Sequence, residues 1–301
     1  MQKQKKKILI AGGTGFVGKA LIPHLTKLGY SIHVLVKKKH PNSAHVCYFE
    51  WNTEKGFIDE NAFEGVSILI NLVGANIGEK RWTKSRKQLI LESRIKSLEL
   101  LYHYIQKGNY PIQLLISSSA VGYYGAVTTN QIFTENSPNG TDFLAEVCKK
   151  WEDAALKFEN VNTKVVLLRK GVVLGKEGGM YQKLVPLAKN GINTSLGSGK
   201  QYLPWIDIRD LVSLYEFILE NETVAGVYNV CTSEHQTMND FSNAFLHSFG
   251  KKSFLPNAPR FLIQMLFGEM SKMLLEGSRV SNQKLLETGF QFEFETLKKS
   301  L

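Results

Sequence analysis

The sequence has no long hydrophobic run, and that absence argues against one class of protein. Although 43% of the 301 residues are apolar, no apolar stretch approaches the roughly 18–20 residues needed to cross a bilayer. A basic start followed by Ile8-Leu9-Ile10-Ala11 resembles a secretory signal, but Gly12 ends the apolar run, and a signal needs about 7–15 such residues. We therefore expect neither a membrane span nor a secretory signal.

Cysteine is also scarce. Cys47, Cys148 and Cys231 are far apart, odd in number and free of any Cys-x-x-Cys spacing, which argues against a disulfide framework and a zinc site. We expect three packed thiols, no bound metal and a location in the reducing cytoplasm.

Negative charge is under-represented, since the formal net charge is +10. The lysine clusters lie apart from one another, at 3–7, 37–39, 149–150 and 251–252. A nucleic-acid site would favour one basic stripe with interleaved aromatic residues. We therefore expect no nucleic-acid partner and interpret most of this charge as solvated surface.

The residues that are present predict alternating strands and helices. A buried strand at 7–11 precedes a glycine turn, a helix that continues past Pro23 to Leu28, and a second strand at 32–36. Further strands are predicted at 46–49, 67–73, 112–117, 164–168, 205–208 and 226–231, and further helices after about Thr83 and at 143–158, 211–219, 238–249 and 261–275. This order predicts an α/β fold with a Rossmann-type, doubly wound parallel sheet.

The pattern loosens after Gly175, where glycines and Pro186 interrupt it. We assign residues 1–175, together with 205–231, to the dinucleotide-binding domain. Residues 176–204 and 232–301 are assigned to a smaller C-terminal substrate-binding domain.

The glycine turn predicts a phosphate-binding loop. It satisfies both Gly13-x-Gly15-x-x-Gly18 and Gly12-x-x-Gly15-x-x-Gly18. Its glycines permit a tight turn and close approach of a pyrophosphate, which the following helix attracts with its unpaired N–H groups. The predicted cofactor-binding residues of the turn are Gly12, Gly13, Thr14, Gly15, Phe16, Val17 and Gly18.

The end of the second strand predicts which dinucleotide binds. NAD sites place an acidic residue there for the ribose hydroxyl, but no acidic residue occurs between Gly18 and Phe49. Lys37, Lys38 and Lys39 follow the strand instead and would attract a 2′-phosphate. We predict NADP(H) as the cofactor, with Lys37 and Lys38 as ligands; an exposed basic turn is the alternative.

Several motifs resemble the extended short-chain dehydrogenase/reductases, the superfamily of the nucleotide-sugar epimerases. Besides the glycine turn they are NLVGA (71–75), SSSAVGYYG (117–125) and RKGVVLG (169–175). Further segments resemble an atypical, epimerase-like branch with a short C-terminal domain of uncharacterised function: KRWT (80–83), ESR (92–94), GSGKQ (197–201), WIDIRDL (205–211), GEM (268–270), LLEG (274–277) and GF (289–290). The resemblance implies further cofactor contacts at Leu72, Val73, Gly74 and Arg94. An ion pair of Arg94 with Glu92 or Glu99 is the alternative.

The catalytic pair of that superfamily, a Tyr four residues before a Lys, is missing. No tyrosine in the chain has a lysine four residues later, and Leu144 and Cys148 align with the two positions. Ser119 matches the superfamily's serine.

Tyr123 and Tyr124 are the candidate substitutes for the missing tyrosine. For both tyrosines, aromatic packing is the alternative. For Ser119 the alternative is an ordinary role in a turn. Lys149 lies nearby in the sequence, and its alternative is simple exposure to solvent.

Two functions remain. One is an NADP(H)-linked oxidoreductase or epimerase acting on a small hydroxy or keto compound. The other is a non-catalytic NADP(H)-binding sensor or regulatory protein. The sequence leaves the substrate and the oligomeric state open.

Overall fold

The computed structural model describes residues 6–38, 40–253 and 255–301. Lys39 of the predicted cofactor-binding run lies outside these residues, as do Lys3 and Lys5. The strands are β1 (Lys7–Ala11), β2 (Ser31–Val36), β3 (Val46–Asn52), β4 (Phe57–Ile58), β5 (Val66–Asn71), β6 (Leu114–Ala120), β7 (Ile132–Phe133), β8 (Lys164–Lys170), β9 (Val172–Leu174), β10 (Trp205–Asp207), β11 (Gly226–Val230) and β12 (Arg279–Val280). The helices are α1 (Phe16–Lys27), α2 (Lys84–Gly108), α3 (Phe143–Leu156), α4 (Gly179–Lys189), α5 (Ile208–Glu220), α6 (Met238–Ser248), α7 (Arg260–Phe267), α8 (Ser271–Leu275), α9 (Gln283–Glu287) and α10 (Leu297–Ser300).

The central sheet has eight strands in the order β11-β8-β6-β5-β1-β2-β3-β4. All its neighbouring strands are parallel except β3 and β4. Its middle strands are rich in Ile, Leu and Val because both faces are covered. One face packs on α1 and α5, and the other packs on α2 and α3. The predicted doubly wound α/β fold is confirmed.

As predicted, α1 continues past Pro23, although proline removes one N–H donor. One local difference from the sequence prediction concerns a later helix. The helix predicted at 261–275 is instead divided into α7 and α8, and a 3-10 turn at Gly268–Met270 separates them. Gly268 has φ 58° and ψ −134°, a conformation that ends a helix and that glycine adopts without a steric penalty.

The C-terminal third builds a small second core. β9 and β10 pair in parallel as a separate two-stranded sheet, and Trp205 of β10 joins a cluster with Phe241 and Phe245 of α6. Leu285 and Phe290 pack instead against the α1–α5 face of the main sheet. The domain division by sequence stays a prediction, but β10 shares its core with residues assigned to the smaller domain.

In the described part of the chain, no helix combines the length and the apolar character that crossing a membrane requires.

We expect Gly171→Ala to destabilise the junction between the two sheets. A Cβ at Gly171 would lie 2.6 Å from the Pro204 carbonyl carbon and 2.9 Å from the Trp205 nitrogen, and backbone atoms there have no room to move. Forced overpacking costs about 1–3 kcal/mol, measurable by urea denaturation. Gly78→Ala is the control, because its new methyl group would find its nearest neighbours at 3.8 Å. Equal midpoints for both variants would contradict this expectation.

Candidate functional site

In the glycine turn between β1 and α1, three positions are packed too tightly for a side chain. Gly12 has φ 85°, and a Cβ there would lie 2.9 Å from the Leu72 carbonyl carbon. A Cβ at Gly13 would lie 2.8 Å from a methyl carbon of Val34, and one at Gly18 would overlap the Gly13 backbone. Each of these glycines is therefore required by its surroundings in the turn.

The N-terminus of α1 offers free N–H groups to an anion. The helix begins after Gly15, which carries no capping side chain, and its first turn contains no acidic residue. Thr14 and Gly15 are exposed. An uncapped helix N-terminus reached through a glycine turn fits a dinucleotide pyrophosphate.

Lys37 and Lys38 lie beside this turn. The register of β1 and β2 pairs Ala11 with Leu35, so the lysines that follow β2 leave the sheet next to the turn. Both are exposed, and within the described ranges neither forms an ion pair. Their charge is available to a phosphate group.

The segment after β5 forms the other side of the turn. The Leu72 N–H donates to the Ala11 carbonyl over 2.8 Å, and Leu72 and Val73 are half-buried. Gly74 lies against Arg94, since a Cβ there would be 2.9 Å from the guanidinium carbon.

Arg94 has no acidic partner among the described residues. Its Nη1 donates to the backbone carbonyls of Ile90 (2.8 Å) and Ala75 (3.2 Å), and its guanidinium lies 4.9 Å from the Trp151 ring centroid. Glu92 pairs with Lys96 and Glu99 with Lys157, so the ion-pair alternative for Arg94 is wrong.

A cavity of about 280 Å³ lies beyond the carboxyl ends of β6 and β8. Arg94, Leu144, Cys148 and Trp151 help to line it, and Lys170 enters it from the end of β8. Most of the other lining residues are apolar or glycine.

On two sides, the wall of the cavity adjoins segments next to the glycine turn. Arg94 lines the cavity and touches Gly74. On the other side, β9 begins at Val172 in the cavity wall and is followed by Gly175, where a Cβ would lie 2.9 Å from the Phe16 ring. The turn and the cavity therefore belong to the same edge of the sheet, where open α/β folds bind ligands.

Lys170 places an amino group in the cavity. Its Nζ donates to the Ser118 hydroxyl over 2.7 Å, and burial, with a smaller contribution from the positive charge of Arg94, lowers the pKa of Lys170 to about 8. Burial, together with the charge of Glu152, raises the pKa of Cys148 to about 12, so that residue is a neutral thiol.

Ser119 belongs to a buried ionic network. Its hydroxyl donates to Glu152 over 2.5 Å, and Glu152 accepts two further bonds from Arg169, at 2.9 and 2.8 Å. The Glu152 and Arg169 side chains are 6% and 4% exposed. The Ser119 hydroxyl is therefore engaged inside the protein.

The two candidate tyrosines pack on the same arginine. The Tyr124 hydroxyl donates to Asn229 (2.6 Å) and accepts from Arg169 (3.0 Å), and burial raises the pKa of Tyr124 to about 12. Tyr123 stacks under the Arg169 guanidinium at 3.4 Å. The geometry supports the packing alternative for both tyrosines. Lys149 is exposed and pairs with Asp153.

Lys170 is the functional candidate that the sequence prediction missed. In the sequence, Lys170 is only part of the family-like segment 169–175, without an assigned role. The available signal was strand alternation, which places Lys170 on the opposite face of β8 from Arg169 at the carboxyl end of a buried strand.

Known proteins share both parts of the chain. Residues 8–231 match the NAD dependent epimerase/dehydratase family, and residues 258–301 match a domain of unknown function, DUF1731. An epimerase family protein of Mycobacterium bovis is 34% identical over 295 residues, covering 98% of this chain and 96% of that protein.

Two solved structures are similar over nearly the whole chain. The human epimerase family protein SDR39U1 (isoform 2), crystallised with NADPH, has a TM-score of 0.85 and 29% identity, covering 98% of this chain and 97% of that one. The Thermus thermophilus UDP-glucose 4-epimerase, in complex with NAD, has a TM-score of 0.75 and 20% identity, covering 98% and 97%. The latter similarity concerns the fold alone.

We expect Glu152→Gln to destabilise the protein strongly. The change leaves the Arg169 guanidinium buried without a carboxylate, and removing one partner of a buried ion pair costs about 3–5 kcal/mol. Asp153→Asn, on the same helix, removes an exposed pair worth about 1 kcal/mol or less and is the matched control. Urea denaturation measures both, and similar losses would refute the structural role assigned to Glu152.

Proposed function

The chain belongs to the NAD dependent epimerase/dehydratase family, and on that premise we propose that it is an NADP(H)-dependent oxidoreductase or epimerase-type enzyme acting on a small hydroxy or keto compound. The observation that carries this proposal is the amino group of Lys170 inside a cavity at the same edge of the sheet as the glycine turn. A group that can exchange a proton thus lies where the fold binds ligands.

The proposed cofactor is NADP(H), held by the glycine turn, by residues 72–74 and by Lys37 and Lys38. The cofactor contact that the resemblance implies for Arg94 stays a prediction, since its guanidinium lies against Gly74 and also lines the cavity. The family name refers to NAD, whereas the human relative was crystallised with NADPH. The exposed lysines after β2 support the phosphorylated cofactor, because their cations would attract a 2′-phosphate. No acidic residue between Gly18 and Phe49 would repel that phosphate.

Lys170 would replace the missing tyrosine. The bound nicotinamide supplies hydride chemistry, and this chain must supply the proton transfer that accompanies it. A pKa of about 8 leaves both the amine and the ammonium populated near neutral pH, which suits an acid/base residue. The hydrogen bond to Ser118 holds the amino group in the cavity.

A non-catalytic NADP(H)-binding sensor is the second candidate. It is favoured by the buried network that engages the hydroxyls of Ser119 and Tyr124, since the serine inherited from the superfamily would then serve stability. Tight cofactor binding without proton exchange at Lys170 would distinguish this candidate.

We expect the double variant Lys37→Ala/Lys38→Ala to bind NADPH more weakly while its affinity for NADH stays nearly constant. Each charge-assisted bond contributes about 1.5–3 kcal/mol, so the NADPH affinity should fall by about tenfold or more. Titration calorimetry measures both cofactors, and Lys149→Ala/Lys150→Ala, an exposed lysine pair on α3, is the control. Wild-type protein that binds NADH as tightly as NADPH would contradict the assignment.

We expect Lys170→Met to remove a lysine that titrates near pH 8. Isotope-labelled dimethyl-lysine NMR should show this resonance in the wild type and in Lys149→Met, but not in Lys170→Met. Oxidation of a hydroxy substrate needs the neutral amine, so its rate should rise with pH through about 8; the reverse reaction needs the ammonium and should slow over the same range.

Turnover of Lys170→Met should fall by roughly 100-fold or more while its NADPH affinity is largely retained. Tyr202→Phe provides the comparison, because Tyr202 also lines the cavity. Full turnover in Lys170→Met with loss in Tyr202→Phe would transfer the proton role to that tyrosine.

A further inference from the structure

Two cationic side chains line the cavity, and neither has an acidic partner among the described residues. Arg94 donates to the carbonyls of Ala75 and Ile90, and Lys170 donates to the Ser118 hydroxyl. Within residues 6–38, 40–253 and 255–301 neither forms an ion pair.

The neighbouring carboxylates are already engaged. Glu152 is bound to Arg169 and Ser119. Glu276, which also lines the cavity, pairs with Arg260 at 3.0 Å and accepts from Thr128 at 2.6 Å. The positive charge in the cavity is therefore not balanced from within this part of the chain.

The surroundings make that imbalance unfavourable without a ligand. Leu144, Trp151 and Met273 form much of the wall, and a charge among apolar groups is stable only when it is paired. Burial lowers the pKa of Arg94 to about 10 and that of Lys170 to about 8, and the charge of Arg94 contributes to the shift of Lys170. An anion between the two groups would relieve both the desolvation and their mutual repulsion.

We propose that the cavity recognises the carboxylate of a small oxo or hydroxy acid, with Arg94 holding the carboxylate and Lys170 holding the neighbouring oxo or hydroxyl oxygen. This inference rests on the proposed function, because it names the substrate class of the same cavity. Nη1 and Nη2 of Arg94 both donate to the Ala75 carbonyl, so the carboxylate would accept two bonds from Nε–H and the second Nη2–H of the planar guanidinium.

Size and charge favour a carboxylate over a larger or more highly charged group. The cavity volume of about 280 Å³ lies just below the range of roughly 300–1,000 Å³ that is usual for ligand pockets. Arg94 and a partly protonated Lys170 balance a monoanion better than a dianion. The glycine turn, Lys37 and Lys38 already provide the sites for the cofactor phosphates.

The test uses the complex with NADP+, in which an oxo acid cannot be reduced. Titration calorimetry compares 2-oxobutyrate, the neutral analogue butanone and inorganic phosphate at pH 8, in buffers that differ in ionisation enthalpy. We expect 2-oxobutyrate to bind with uptake of a fraction of a proton, because a nearby anion raises the pKa of Lys170. Butanone should bind about tenfold more weakly or not at all.

Three variants assign the effect to the two cations. Arg94→Met and Lys170→Met should each weaken binding of 2-oxobutyrate by about tenfold or more, and Lys170→Met should also abolish the proton uptake. Lys149→Met is the control and should change neither. NADP+ affinity is measured for every variant, so that if Arg94→Met loses its fold or its cofactor, Lys170→Met decides alone.

Four results would overturn the inference. They are equal binding of butanone, tighter binding of phosphate than of 2-oxobutyrate, unchanged affinity in Lys170→Met, and no anion binding by protein that binds NADP+. Such results leave the proposed function standing. Failure of the wild type to bind NADP+ would instead overturn the proposed function.

Discussion

The buried ion pair between Glu152 and Arg169 is the constraint on which the site depends. It joins α3 to β8 at the carboxyl edge of the sheet. At the same edge, Tyr124 after β6 accepts from Arg169 and donates to Asn229 near the end of β11. Because Arg169 is fixed toward α3, strand alternation turns the next residue, Lys170, to the other face. The orientation of the cavity lysine is therefore a consequence of a pair that does not itself touch a ligand.

The charged side chains at this edge form two groups, which differ in whether a carboxylate balances the cation. Glu152, Arg169 and the hydroxyls around them form a satisfied network, and such a network stiffens the backbone that carries it. Arg94 and Lys170 have only neutral partners among the described residues. A complete buried network needs no ligand, whereas half-buried cations in an apolar cavity are stabilised by an anion. This contrast separates the structural part of the edge from the part assigned to binding.

Local patterns were enough to predict the fold and the glycine turn. β1 and the start of α2 after Thr83 follow from an apolar run and an N-cap residue within a few positions. The division of the last long helix was missed, because the conformation of Gly268 depends on its surroundings. Ser119 could not be placed from sequence, since its hydrogen-bond partner Glu152 is 33 residues away and the burial of that carboxylate is a tertiary effect. Lys170 was missed because the proton-exchanging residue of the superfamily is a tyrosine, and the cavity around Lys170 forms only in the folded chain.

Without the tyrosine, a different group must exchange the proton, and its pKa must still be shifted toward neutral pH by its surroundings. In the usual arrangement a lysine cation lowers the pKa of a tyrosine, so that its proton can be exchanged near neutral pH. Here burial and, to a smaller extent, the cation of Arg94 lower the pKa of Lys170. In water, the pKa of a lysine is similar to that of a tyrosine. Desolvation alone would raise the pKa of a tyrosine but lowers that of an amine, and Tyr124 and Lys170 show the two opposite shifts at one edge of the sheet. An apolar cavity therefore favours a lysine as the group that exchanges a proton, and the same positive charge that tunes it also favours an anionic substrate.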